Sequence, residues 1–189
     1  MGHDASCPHQ IDDDTLRTIP LYNTQFKKYA SITLKMNGKN SYTLRPIGFV
    51  KNGIGQTPKN RDWWLTVRSS LVIDPEFEEG LEGIDDFSHI IVLFWFDRTE
   101  ENIIYKIHPQ RREELPLTGL FATRTPNRPN RIGFSIVNLI KRQRNILTVT
   151  GLDALDGTPV IDIKPYLKHS DLIPSAIQPD WAYRVSKHD

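Results

Sequence analysis

Short apolar runs separated by turn residues make up most of this chain, and no long stretch keeps the spacing of an amphipathic helix. Residues 31–34 and 42–44 are β-prone and flank Asn37-Gly38, a hairpin signal. Residues 47–50 follow Pro46 as a strand entering a glycine-containing loop at residues 52–55. Residues 63–69 and 71–73 are β-prone, and Asp74-Pro75 marks a turn. A carboxylate-rich connection over residues 76–86 reads as solvated rather than metal-binding. It leads to HIIVLFWF at residues 89–96, the most apolar run and the predicted central strand, too short to span a membrane. Residues 102–114 suit a short helix or an irregular excursion, interrupted by Pro109. Two more strands, 132–141 and 146–152, flank the polar turn RQRN, and a last one at 160–163 ends before Pro165. This succession predicts an all-β barrel or sandwich.

The chain has 189 residues, enough for one domain with an appended arm. Residues 1–20 are polar and read as a flexible N-terminal arm. At 38% apolar and 25% charged residues the composition is that of a soluble globular protein. Cys7 is the only cysteine, so no intrachain disulfide forms, and a reducing compartment is favoured. With no apolar signal core at the start, the expected location is the cytoplasm. The histidines at 3, 9, 89, 108, 169 and 188 lack metal-ligand spacing, so no metal is expected. Neither GxGxxG nor GxxxxGK[ST] occurs, and Ser135 has no GxSxG elbow around it. Net charge is +1, yet residues 106–144 carry nine Lys or Arg against two Glu. That segment has a net charge of +7 and leaves −6 on the rest. A polyanion would be drawn to one face of such a molecule.

The candidate chemistry lies in FATRTPNRPNRIGFS, residues 121–135. Pro126 and Pro129 fix their own φ and push Thr125 and Arg128 toward extended backbone, which stiffens the loop. Arg124, Arg128 and Arg131 offer planar forks suited to phosphate or carboxylate. Asn127 and Asn130 each add a donor and an acceptor. The bland alternative is an ordered surface turn with solvated charges. A second polar turn, LDGTP, brings Asp156, Gly157, Thr158 and Pro159. Taken alone it is an ordinary hairpin turn. In a sheet the two turns can share one end, where carboxylate, hydroxyl and guanidinium groups would suit a zwitterionic small molecule.

Four blocks then occur in order: PIGFV, GIDDFSHIIVLFWF, GLFATRTPNRPNRIGFS and GLDALDGTPVIDIKPY. Through them the chain resembles the TsaA-like family of single-sheet β-barrel proteins, the TrmO-type tRNA methyltransferases. The likeness runs over about residues 45–170 and sets the domain division: arm and hairpin extension at 1–44, barrel at 45–170, C-terminal tail at 171–189. The resemblance implies a single-sheet antiparallel β-barrel with a few short helices. It implies S-adenosylmethionine (SAM) as cofactor, a homodimer, and tRNA as partner, methylated on N6 of a threonylcarbamoyl-modified adenosine beside the anticodon. Carried over, cofactor contacts would come from Asn52, Gly53, Ile54, Ser88, His89, Arg124, Asn127, Arg128, Asn130, Asp156, Gly157, Thr158 and Pro159. Arg124, Arg131, Arg142 and Arg144 would meet RNA. Asp156 and His89 are the candidate bases, and no other catalytic group is identified. Two features depart from the family pattern. Asn52-Gly53-Ile54 stands where Ser-Pro-aromatic is common, and REELPLT at 112–118 replaces a Gly-rich arginine segment. The rival readings are a SAM- or RNA-binding barrel without chemistry, and a methyltransferase for another acceptor.

Overall fold

Six of the apolar runs close into one antiparallel barrel in the computed structural model, which describes residues 32–35, 41–57 and 63–186. The barrel strands are β3 (Gly48–Lys51), β4 (Arg68–Ile73), β5 (His89–Trp95), β8 (Ile132–Gln143), β9 (Ile146–Thr150) and β10 (Pro159–Pro165). Their spatial order is β10, β3, β4, β9, β8, β5, and β5 pairs back with β10. A separate ribbon pairs β1 (Ile32–Lys35) with β2 (Ser41–Leu44), and a two-residue pairing joins β6 (Lys106–Ile107) to β7 (Thr118–Gly119). The expected Asn37-Gly38 turn, the N-terminal arm and Cys7 lie outside the described residues. Among those described, no helix is long and apolar enough to cross a membrane.

Alternation along the strands fills the barrel. Val50, Leu71, Ile73, Ile90, Val92, Phe94, Val137, Leu147, Val149 and Val160 form one buried cluster, with Leu81, Leu152 and Ala154 completing it. Closure pairs both long edges of the sheet, which removes the unpaired N–H and C=O groups an open edge would expose. Two glycines are there for space. A Cβ on Gly48 would lie 2.3 Å from the Val72 carbonyl, so β3 can approach β4 only without a side chain. A Cβ on Gly133 would lie 2.2 Å from the Phe94 ring, which packs edge-on to Phe96 at 5.3 Å between centroids.

Two sequence expectations change. Residues 63–69 do not run as one strand: Trp63–Thr66 is a single helical turn, and β4 begins at Arg68. The Val67 amide donates to the Trp63 carbonyl, and the Trp63 and Trp64 rings meet edge-on, so packing overrides the β preference of the aromatics. The 102–114 segment is the irregular excursion of the two alternatives, containing β6 and a short 3-10 turn at Pro109–Arg111.

Strand direction gives the barrel two unlike ends. The connections 52–67, 96–131 and 151–158 emerge at one end; the acidic 74–86 segment and the β8–β9 hairpin close the other. We expect Gly133→Ala to lower unfolding free energy by about 1–3 kcal/mol, because a Cβ there would overlap the buried Phe94 ring and force it out of its packed position. A chemical-denaturation midpoint equal to wild type would show that the contact imposes no constraint.

Candidate functional site

All three connections at one barrel end contribute to a cleft of about 1190 Å³. The loop between β3 and the Trp63–Thr66 turn is built first, by Asn52. Its side chain is buried; Nδ2 donates to Ser69 Oγ and the Ala154 carbonyl, each at 3.0 Å. Its Oδ1 accepts the Ile54 N–H at 3.0 Å. The LDGTP turn locks onto the same loop. Asp156 Oδ1 accepts the N–H groups of Asn52 (2.8 Å) and Gly53 (2.9 Å), and Oδ2 meets Lys51 Nζ at 3.1 Å. In return the Asp156 N–H donates to Ile54 and that of Gly157 to Val50. Gly53 and Gly157 hold φ of +73° and +81°, which L residues adopt only at a cost.

Asp156 is therefore a strut. Burial pushes its carboxyl pKa up, but the Gly53 and Asn52 N–H groups and Lys51 outweigh that and hold it below 3.8. A carboxylate so engaged, with its pKa depressed, is poorly suited to take a proton from substrate. His89 does not serve the cleft either. It begins β5 at the far end, beside Ser88, and is exposed, with its ring 6.3 Å from that of Tyr166. At roughly 3.3 Å per residue, Ser88 and His89 lie about 20 Å along β5 from Phe96.

The arginine loop faces the turn. Arg124 and Asn127 line the cleft, and the Arg124 guanidinium lies 5.7 Å from the Phe134 ring centre. Arg128 turns back on its own loop, donating to the Thr123 and Thr125 carbonyls at 3.2 and 3.3 Å. Arg131 packs over Trp95 and donates to the Thr99 carbonyl. Arg142 and Arg144 are at the other barrel end. Arg142 donates to the carbonyls of Leu81, Glu78 and Arg144 and pins the acidic connection beneath the barrel. Arg144 lies 3.6 Å from Glu78. Of the expected residues, the structure brings Arg124, Asn127 and Thr158 to the cleft wall. Asn52, Gly53, Ile54, Asp156 and Gly157 build the rim behind it.

Several wall residues escaped the sequence reading. Arg98 donates to the Gly55 carbonyl at 3.2 Å and also to the Asp156 carbonyl, bridging the two turns from a third. Its only sequence signal was a lone arginine just after the central strand. Asp97 and Asp153 are the carboxylates on the wall. The segment expected as a tail supplies another side: the helix Asp180–Ser186 lines the cleft through Trp181, Ala182 and Val185. Gln110 and Arg112 hold that helix by its Val185 and Arg184 carbonyls, at 3.1 and 3.2 Å. No group of three or more His, Cys, Asp or Glu is arranged to hold a metal among the described residues.

Comparison with known proteins places the chain in a family. The tRNA-methyltransferase O N-terminal domain family matches residues 51–172, and the chain belongs to that family. A probable S-adenosyl-L-methionine-binding protein of Archaeoglobus fulgidus is 49% identical over 135 residues, covering 70% of this chain and 36% of that protein. A mouse tRNA (adenine(37)-N6)-methyltransferase is 39% identical over 108 residues, covering 57% of this chain and 24% of that enzyme. The crystal structure of TrmO from Pseudomonas aeruginosa superposes with a TM-score of 0.58 at 33% identity, covering 72% of this chain and 60% of that one. The chain thus spans about a third of the archaeal relative's length. The helix Asp180–Ser186 lies beyond the family match.

Stability should report the Asp156 strut. Asp156→Ala leaves two backbone donors and Lys51 without their acceptor, and we expect a loss of about 1–3 kcal/mol at neutral pH. Because the folded pKa is depressed, this contribution is complete above about pH 3.8 and is lost as pH falls through the lower folded value. The gap between wild type and variant in urea melts should close on acidification. A gap that stays constant across that range would mean the ionised carboxylate contributes nothing.

Proposed function

We propose that this member of the tRNA-methyltransferase O N-terminal domain family is a SAM-dependent methyltransferase that acts on N6 of an adenosine in tRNA. The acceptor we assign is the threonylcarbamoyl-modified adenosine next to the anticodon, and the setting is the cytoplasm. The observation that carries the reading is the cleft, where an apolar floor and a charged wall meet at the end of a barrel of this family. The names of the archaeal and mouse relatives support cofactor and substrate class respectively.

The chemistry asks little of side chains. Bound SAM would supply an electrophilic methyl on a sulfonium, and because its C–S bond would release a neutral thioether as N6 takes that methyl in line, no acid would be needed. Holding nitrogen and methyl within attack distance supplies most of the acceleration. The surplus proton on N6 then passes to water or to a wall carboxylate, Asp97 or Asp153. Arg98 and Arg124 stay protonated throughout and bind anions. Their partners are the cofactor carboxylate and RNA phosphates, with Arg111 also on the cleft wall.

A second copy of the chain completes the assembly in this reading. Ile132, Phe134, Ile136 and Ile140 are each about two-fifths exposed along β8. The outward row of a barrel strand is ordinarily polar where it meets water. Light scattering should give a dimer, and Ile136→Lys should give a monomer of unchanged fold. A wild-type monomer at micromolar concentration would remove this part.

The decisive experiment incubates the protein with SAM and total tRNA and weighs the released nucleosides. A mass increase of one methyl on the threonylcarbamoyl-modified adenosine is expected, and saturable cofactor binding without any methylated product favours the binding-module alternative. Arg124→Glu should weaken tRNA binding and flatten the plot of log affinity against log salt by about one unit. Arg144→Glu, at the opposite barrel end, should leave both unchanged. The reverse pattern would put the RNA on the other end.

A further inference from the structure

We propose that Trp64 donates its indole N–H to a ring nitrogen of the cofactor's adenine, which makes the apolar floor of the cleft the purine subsite. The inference rests on the SAM reading above. Trp64 lines the cleft and is 4% exposed, yet its Nε1 is buried and has no acceptor among the described residues. Native proteins rarely leave such a donor unpaired, so a buried orphan on a cavity wall marks where a ligand acceptor belongs. The indole is also held in place. Thr66 Oγ1 and the Val67 N–H both close onto the Trp63 carbonyl, at 3.0 and 3.3 Å, and the Trp63 ring packs edge-on at 5.5 Å.

The other buried residues of the cleft choose which part of the ligand lies there. Phe94, Ala154 and Thr158 also line the cleft and are buried, which gives the floor an apolar character with a single hydroxyl. The Phe94 ring packs against Gly133, in the space a Cβ would fill. The charged groups Asp97, Arg98, Arg124 and Asp153 are contributed by the connections after β5 and β9. SAM is divided in the same way. Its methionine end is zwitterionic and needs paired charges, whereas its purine is flat, weakly polar and rich in ring acceptors. An indole N–H is a donor only and selects an acceptor. A carboxylate on this floor would lose its water without gaining a cation there, an unfavourable exchange. The purine fits both the surface and the orphan donor.

The test uses calorimetry with S-adenosylhomocysteine and its 1-deaza, 3-deaza and 7-deaza analogues, on wild type and Trp64→Phe. Phenylalanine keeps an aromatic ring in the site and removes the donor. Trp64→Phe should weaken the parent ligand roughly 5- to 20-fold, the range a single hydrogen bond in a dry site commands. One deaza analogue should weaken on wild type by a similar factor and show no further loss on the variant. Wild type that binds neither SAM nor S-adenosylhomocysteine overturns the functional reading, and this inference with it. If wild type binds while Trp64→Phe binds equally well, or all three analogues match the parent, only the purine assignment falls. A loss confined to the KM for tRNA would put the acceptor base on this floor instead and overturns the assignment too. Should Trp64→Phe fail to fold, the analogue series on wild type decides alone.

Discussion

One carboxylate holds the functional end of this barrel together. Asp156 takes two successive backbone N–H groups from the β3 loop and a lysine beside them. Loops that lack secondary structure must satisfy their backbone groups some other way, and here they do so through each other. Asn52 from within the loop and Arg98 from a third connection extend the same network. The rim is thereby pre-organised before any ligand arrives, which lowers the cost of ordering a site on binding. It also reassigns the residue: an acid that could pass for a base or a ligand contact is spent on architecture.

Charge is divided by the barrel axis in a way that net charge conceals. The positive segment spans both ends, because β8 runs the length of the barrel from the arginine loop to the β8–β9 hairpin. At one end Arg98, Arg111 and Arg124 line the cleft. At the other, Arg142 is engaged by the acidic connection, whose Leu81 closes the core, and exposed Arg144 lies beside its Glu78. A partly buried arginine that donates to three carbonyls contributes mainly cohesion. A sum over sequence counted both groups equally, while the structure separates arginines on a cleft wall from arginines beside the acidic connection.

The sequence by itself determined most of the strands, the all-β class and the stiffness of two polar turns, because apolar alternation, proline and glycine act locally. Their common end follows from antiparallel order once the strands are known. The four motif blocks also carried the family. What only the tertiary structure decided is which polar atoms are free. Asp156 and Arg128 look like ligand contacts in sequence, but their partners come from backbone groups that no side-chain pattern displays. Ser88 and His89 sit in a motif block, yet β5 carries them to the end opposite the cleft. Conversely, Trp64 and the helix Asp180–Ser186 lie in segments without a binding pattern and reach the cleft only through packing. Hydrogen bonds between distant backbone and side-chain atoms, and the direction in which a strand runs, are settled by three-dimensional closure; those two facts divided the site from its scaffold.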